Sequence, residues 1–119
     1  KIILILQKNA DHLSLCNIML QDMIKTNLNI IKMDSGDLFH AMKKTDPGFK
    51  QFSEVYFSSI IKDNVKAWKL HQNMTLNLIV PVGSVMFNFI DARKVSKTFN
   101  KVHKVILSQE PMAMIGEDI

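Results

Sequence analysis

The chain has 119 residues, 47% hydrophobic and 22% charged, so it is long enough for one domain with a single core and is globular in composition. Lys and Arg outnumber Asp and Glu by 15 to 11, giving a net charge of +4, but they are spread along the chain as on a solvated surface. With only four glycines, the sequence excludes a nucleotide P-loop or a dinucleotide fingerprint. We therefore expect no nucleic-acid partner.

The single cysteine, Cys16, excludes a disulfide within this sequence and fits a reducing compartment. It could be a reactive thiol, but a small buried hydrophobe beside Leu13, Leu15 and Met19 is the favoured interpretation. The first apolar run, residues 2–6, is too short to span a bilayer and has no signal-peptide cleavage site. These features predict a cytoplasmic protein with no membrane contact.

The N-terminal part of the chain is predicted to be an extension of one strand and one helix, covering residues 1–29. Residues 2–6 (IILIL) predict a short buried strand. After a potential N-cap at Asp11, apolar residues recur at helical spacing, which predicts a helix over 12–25. Its Met and Leu residues are expected to belong to the core or to a dimer contact.

Short elements and turns follow the extension. Residues 30–33 (IIKM) predict a short strand, and 34–37 (DSGD) predict a turn. Residues 38–44 could be extended or form one helical turn. A second turn is predicted at 46–48 (DPG).

The rest of the chain is rich in β-branched and aromatic residues. Five segments in it predict strands: 52–61, 65–70, 75–80, 84–90 and 101–107. Turns are expected at 62–64 and at 81–83 (PVG), where the tight turn would join two antiparallel strands. Short strands at roughly ten-residue spacing are typical of a β-sandwich or a jelly roll. The predicted fold is therefore mainly β.

His71 is the leading candidate for chemistry. A histidine near neutral pKa can abstract a proton next to a carbonyl, although a hydrogen-bonded core or surface histidine is the more common case. His12, His40 and His103 are weaker candidates because of their positions in the predicted elements. The histidines do not show the spacing of metal ligands, so no metal site is predicted.

Three further residues could line a cavity with His71. Glu54 and Tyr56 lie two apart on the predicted strand and would point to the same face. Trp68 could stack on a ring, while Glu54 or Tyr56 bind polar groups. The alternative is that Glu54 and Tyr56 face solvent and Trp68 fills the core.

Asp91 and Arg93 also share a face if their segment is extended. They could pair with each other, and closing the turn after a strand is the favoured role. The sequence spacing does not predict a catalytic carboxylate pair of the glycosidase kind.

Residues 70–110 resemble the dTDP-4-dehydrorhamnose 3,5-epimerase family. The family's D-x-R-K-x-S-x-T-F string matches residues 91–99, and its L-S-x-E string matches 107–110. Residues 36–58, followed by WKLH at 68–71 and MTLNL at 74–78, are similar to a compact branch of that family. This branch consists of small sugar epimerase-like cupins found among surface-polysaccharide genes, and the resemblance covers about residues 30–110.

The resemblance implies a cupin jelly-roll barrel over residues 30–119, usually dimeric, that acts on a nucleotide-linked 4-keto-6-deoxyhexose. In this family a histidine oriented by an aspartate removes the proton next to the ketone, and a tyrosine returns a proton on the other ring face. His71 matches the base, and Glu54 falls where the family has a carboxylate near the nucleotide. No cofactor is implied, because the ketone already acidifies the neighbouring C–H.

The sequence departs from the family pattern at several positions. Trp68 and Lys69 stand where the family has an arginine, and Thr75-Leu76 stand where it has a lysine. The strands that carry the family's tyrosine and aspartate do not follow Glu110. Either a second copy or the N-terminal segment completes the barrel, or the sequence joins segments that are further apart in a longer chain. The abrupt end of the match favours the latter interpretation.

Two functions are therefore predicted. The first is an epimerase or isomerase of lipopolysaccharide or O-antigen sugar biosynthesis, with His71 as its base and a nucleotide sugar as its substrate. The alternative is a non-catalytic cupin-like module that binds a sugar nucleotide or serves dimerisation. The missing cationic and catalytic residues of the family favour this alternative.

Overall fold

A computed structural model describes residues 2–7, 19–109 and 113–117, and for 2–7, 68, 113, 114 and 117 it describes the backbone alone. The described part of the chain contains strands and connecting segments but no helix. The strands are β1 Ile2–Gln7, β2 Met23–Asn27, β3 Ile30–Ile31, β4 Leu38–Phe39, β5 Val65–His71, β6 Leu76–Ile79, β7 Ser84–Asp91, β8 Val102–Ser108 and β9 Ala113–Glu117.

The larger sheet has four strands in the order β5-β1-β7-β8, all antiparallel. The sequence IILIL forms β1, as predicted, and this strand lies between β5 and β7. Its pairing with β5 shifts register between Leu4 and Ile5, while its pairing with β7 is regular throughout. The N-terminal segment therefore supplies an inner strand of the sheet that carries His71.

A second sheet has the order β2-β9-β6, and β3 and β4 form a separate two-stranded hairpin. The larger sheet has one strongly buried face, because the opposite residues Phe89 and His103 of β7 and β8 are both buried. The core cluster joins residues of both sheets: Leu20, Met23, Val80, Phe87, Phe89, Val105, Leu107 and Ile115. The fold is thus mainly β, and the described strands form packed sheets without closing a barrel.

The helix predicted over 12–25 is wrong for residues 19–25, and residues 12–18 lie outside the described part. Leu20 and Met23 are buried, but a turn closed by the Met23 N–H to Leu20 C=O bond of 3.2 Å separates them. Asp22 adopts a φ of 66°, which ends any helical path, and β2 then pairs with β9. The apolar spacing resembled that of a helix because a tight turn also brings residues three apart to one side.

The strand predicted at 52–61 is also wrong. Residues 51–61 belong to no strand, and all of them except the half-buried Ile60 are exposed. Composition favours the extended backbone here, but a strand is stabilised by hydrogen bonds and side-chain contacts with a neighbouring strand. This segment has β-forming residues but no strand partner among the described strands.

The segment 81–83 connects β6 and β7 by a bend, but it does not form the predicted hairpin. β6 pairs with β9 in one sheet, whereas β7 pairs with β1 and β8 in the other. Gly83 has a φ of 78°, a value open to glycine at little cost, and its C=O accepts a bond from Gln109 N–H at 3.2 Å. The chain therefore crosses from one sheet to the other at this point.

The remaining elements lie at the positions that the sequence predicts. The strands predicted at 65–70, 75–80, 84–90 and 101–107 appear as β5, β6, β7 and β8 with shifts of at most one residue at an end. The turns predicted at 34–37, 46–48 and 62–64 are present, with Gly36 N–H bonded to Met33 C=O at 3.1 Å and Phe49 N–H to Asp46 C=O at 3.0 Å. Residues 38–39 take the extended option as β4.

Candidate functional site

His71 is the last residue of β5, at one end of the larger sheet. It lies opposite Ile2 of β1, and Ile2 in turn lies opposite Asp91 of β7. His71 and Asp91 therefore occupy one row across three strands, about 10 Å apart in backbone position if each step is roughly 4.8 Å. The described side-chain hydrogen bonds of Asp91 go to Arg93, Ser96 and Thr98, and none of them goes to His71.

The two nitrogens of the His71 ring have different surroundings. Nδ1 lies 2.9 Å from the Sδ atom of Met74, in the bend that follows β5. Nε2 is buried and has no hydrogen-bond partner among the described residues. A thioether sulfur only accepts hydrogen bonds, so this contact favours the tautomer with hydrogen on Nδ1 and a lone pair on Nε2. Among the described side chains, no carboxylate hydrogen-bonds to His71.

The other predicted site residues do not gather around His71 in a described contact. Glu54 and Tyr56 lie on the irregular segment 51–61, and Tyr56 is 56% exposed. They are therefore not on a common strand face. Trp68 lies in β5, but its side chain is outside the described part, so its stacking role remains a prediction.

The remaining histidines have separate environments. His103 is buried in β8, with its ring 6.3 Å from that of Phe89 at an interplanar angle of 23°. His40 follows β4 and donates its backbone N–H to Asn29 C=O at 2.9 Å. His12 lies outside the described residues. His103 is thus a core residue of the larger sheet.

A dense polar network surrounds Asp91 at the end of β7. The side chain of Asp91 is fully buried, and both Nε and Nη2 of Arg93 donate to its two oxygens at 2.9 Å. The hydroxyls of Ser96 and Thr98 donate to the same Oδ2 atom at 2.5 and 2.6 Å. The network therefore uses the conspicuous D-x-R-K-x-S-x-T string to fix the β7–β8 connection, in agreement with the predicted structural role of Asp91 and Arg93.

Two opposing influences set the charge state of Asp91. Burial is the largest and raises the pKa of this carboxyl, but the hydrogen bonds from Arg93, Ser96 and Thr98 together outweigh it. The pKa of Asp91 is consequently held far below its ordinary value of 3.8. The pKa of Arg93 is raised, chiefly by its bond to Asp91. Both groups are charged at neutral pH, and neither is suited to proton transfer there.

The network also includes residues that the sequence analysis missed. Arg93 Nη1 donates to Asp22 Oδ2 at 2.9 Å, and Nη2 donates to Gln21 C=O at 2.6 Å. Gln21 Oε1 accepts from the Lys97 N–H at 2.8 Å. These partners lie more than 70 positions from Arg93 or Lys97, and nothing in the sequence connects them. The network ties the turn before β2 to the β7–β8 connection.

An open pocket of about 210 Å³ lies on the second sheet, beside the same turn. It is lined by Asp22, Ile24, Pro47, Gly48, Lys50, Thr75 and Gly116. Small-molecule sites usually occupy about 300–1,000 Å³, so this pocket is smaller than the usual site.

Gly116 forms part of the pocket wall because Asn77 crosses directly over it. Gly116 lies opposite Asn77 in the ladder, and a Cβ atom at position 116 would stand 2.5 Å from Asn77 Oδ1. Asn77 Nδ2 meanwhile donates to Gly48 C=O at 3.2 Å, which fixes the amide in place. Only a residue without a side chain fits this position as the sheet stands.

We expect Gly116→Ala to lower the free energy of unfolding by about 1–3 kcal/mol, because the new methyl group must displace the Asn77 amide. Urea unfolding of Gly116→Ala, Asn77→Ala and the double variant measures the coupling. The double variant should lose less than the sum of the single losses, since Asn77→Ala opens the space. Strictly additive losses would show that the two side chains do not compete.

Neither a metal site nor a membrane span is found in the described part of the chain. No group of three His, Cys, Asp or Glu side chains there could hold a metal ion. None of its elements is a helix with the length and apolar character that crossing a bilayer requires.

In comparisons with known proteins, no protein-family model, curated protein or solved structure matches the chain.

Proposed function

We propose that the chain is a cytoplasmic, cupin-like epimerase or isomerase of a nucleotide-linked 4-keto-6-deoxyhexose, acting in surface-polysaccharide or lipopolysaccharide sugar biosynthesis. The observation that carries the proposal is the buried Nε2 atom of His71, which has no hydrogen-bond partner among the described residues. The motif resemblance of residues 70–110 supports the substrate class, because it places His71 at the position of the family's base.

The chemistry assigned to His71 is a proton transfer. Neutral His71, with hydrogen on Nδ1 facing Met74, accepts through Nε2 the proton from the carbon next to the sugar ketone. The C–H electron pair moves toward the carbonyl oxygen and forms an enolate. Return of a proton to the opposite ring face inverts the carbon, whereas return to the same face restores the substrate. Exchange of this hydrogen with solvent therefore reports the first step.

A non-catalytic role is the second candidate. No described carboxylate hydrogen-bonds to His71, so the base lacks an orienting partner in the described part of the chain. Asp91, the nearest carboxylate in register, is fully engaged with Arg93, Ser96 and Thr98. In this case the chain would bind the sugar nucleotide or support dimerisation without chemistry.

The test is exchange of the substrate hydrogens in deuterated water, followed by proton NMR, with a thymidine diphosphate-linked 4-keto-6-deoxyhexose as probe. We expect His71→Ala to slow exchange by at least roughly a hundredfold, since a positioned general base contributes about 10²–10⁴-fold. His40→Ala is the matched control, because His40 lies at the end of β4, and it should exchange like the parent.

Equal exchange rates for the parent and His71→Ala would show that His71 is not the base. A parent protein that binds the probe but does not catalyse exchange would select the non-catalytic candidate. Circular dichroism of each variant shows whether it has kept the parent fold.

A further inference from the structure

Residues 52–61, called here the apolar segment, expose an unusual amount of hydrophobic surface. Its five most exposed large apolar or aromatic residues are Phe52 (75%), Val55 (69%), Tyr56 (56%), Phe57 (89%) and Ile61 (76%). Single exposed apolar residues are common on protein surfaces, but a contiguous group of this size marks an interaction site. The segment also has the residue types that strands favour.

The strand next to the apolar segment in the chain, β5, has an open edge. Within the described part of the chain, β1 is the only strand hydrogen-bonded to β5, which is the outermost strand of its sheet. An edge strand presents a row of backbone N–H and C=O groups that can pair with another strand. The chain thus carries both a strand-like segment outside any sheet and a sheet edge that can accept a strand.

The turn between the apolar segment and β5 does not bring these two elements into strand pairing. Asn64 N–H bonds to Ile61 C=O at 3.1 Å, so Lys62 and Asp63 are the central residues of a tight turn. Only Asp63 of these two has a positive φ, of 63°. The turns that match the twist of paired strands need positive φ at the first central residue, so this turn splays its two arms. A bond of 3.0 Å from Lys66 Nζ to Ser58 Oγ connects them through side chains alone.

The apolar segment and β5 carry opposite charges, with Glu54 in the segment and Lys66 and Lys69 in the strand. Charges of opposite sign favour the docking of one element on the other.

We propose that the apolar segment of one copy forms an additional strand on the β5 edge of a second copy, and that the second copy does the same in return. Each copy then donates one segment and accepts another, which gives a closed dimer with two-fold symmetry. The dimer covers the exposed aromatic side chains and pairs the open edge. It does not depend on chemistry at His71.

Sedimentation equilibrium over a range of protein concentrations tests the proposal, with Phe57→Lys as the disrupting variant. Phe57 is 89% exposed, so the substitution leaves the monomer fold intact, but it places a charge inside the proposed interface. Val95→Lys is the matched control, because Val95 is 98% exposed on the β7–β8 connection. We expect Phe57→Lys to raise the dimer Kd at least roughly tenfold, with Val95→Lys unchanged.

Amide hydrogen exchange provides the second measurement. Residues 52–61 and 65–71 of the parent should exchange more slowly as the protein concentration rises, and this slowing should be lost in Phe57→Lys. A parent that stays monomeric, a dimer that Phe57→Lys does not weaken, or open-ended aggregation in place of a dimer would each overturn the proposal. Dimerisation without protection of 52–61 would overturn the strand pairing.

Discussion

Asp91→Ala is expected to lower the free energy of unfolding by about 3–5 kcal/mol, which is the usual cost of removing one partner from a buried ion pair. The side chain of Arg93 is only 17% exposed, and the substitution removes the two hydrogen bonds that it makes to the carboxylate. The hydroxyls of Ser96 and Thr98 lose their acceptor as well. A domain of this size is stabilised by about 5–15 kcal/mol, so the loss is a large share of the total.

Urea unfolding followed by circular dichroism measures this loss. Asp37→Ala is the matched control, because Asp37 makes an ion pair of 2.8 Å with Lys32, whose side chain is 63% exposed. Such surface pairs contribute about 0–1 kcal/mol. Similar losses for the two variants would contradict the view that the Asp91 network holds the β7–β8 connection against the turn before β2.

The same network predicts an acid-dependent loss of stability. The pKa of Asp91 is lower in the folded chain than its ordinary value of 3.8, so the folded state binds fewer protons than the unfolded state in this range. The contribution is complete above the ordinary carboxyl pKa and is lost as the pH falls below it toward the folded pKa. Asp91→Ala lacks this contribution, so its stability should fall less steeply below pH 3.8 than that of the parent.

The sequence was sufficient to locate strands whose own residues show a pattern typical of strands. β8 alternates buried and less buried residues along its length, and β7 is rich in β-branched and aromatic residues, so local patterns are enough to recognise both strands. The turns at 34–37 and 46–48 follow from Asp, Gly and Pro, whose backbone preferences are local. The pairing of Asp91 with Arg93 could also be anticipated, because they are two residues apart.

Long-range pairing could not be predicted in the same way. Nothing in IILIL specifies that β1 lies between β5 and β7, and Gln21 and Asp22 contact Arg93 across about 70 positions of the chain. The strand predicted for the apolar segment is wrong for the opposite reason, because its composition favours a strand but none of the described strands pairs with it. A local pattern reports what a segment favours, whereas the sheet depends on which partner is within reach.

The same difference between local pattern and long-range contact applies to the function of His71. Its residue type and motif position suggest a base, and these are properties of the sequence alone. The tautomer depends on Met74, whose sulfur lies 2.9 Å from Nδ1, and none of the described carboxylates hydrogen-bonds to the ring. The sequence can therefore suggest which residue is a base, whereas the contacts around that residue decide whether it can act as one.

Phe89→Ala is expected to cost about 3–5 kcal/mol, the usual loss for a fully buried phenylalanine. Phe89 is 0% exposed and lies between Phe87 and His103, with ring centroids 6.2 and 6.3 Å away. Phe57→Ala makes the same chemical change at a residue that is 89% exposed, and it should alter monomer stability by less than about 0.5 kcal/mol.

Both variants are compared by urea unfolding at a concentration where the parent is monomeric, so that the proposed dimer does not contribute. Phe89 belongs to the same core cluster as Met23 and Ile115 of the second sheet, so the substitution opens a cavity in a core to which both sheets contribute. A small loss for Phe89→Ala would mean that the two sheets do not share a core. A large loss for Phe57→Ala would mean that the apolar segment packs within its own chain, which would remove the physical basis for strand exchange between copies.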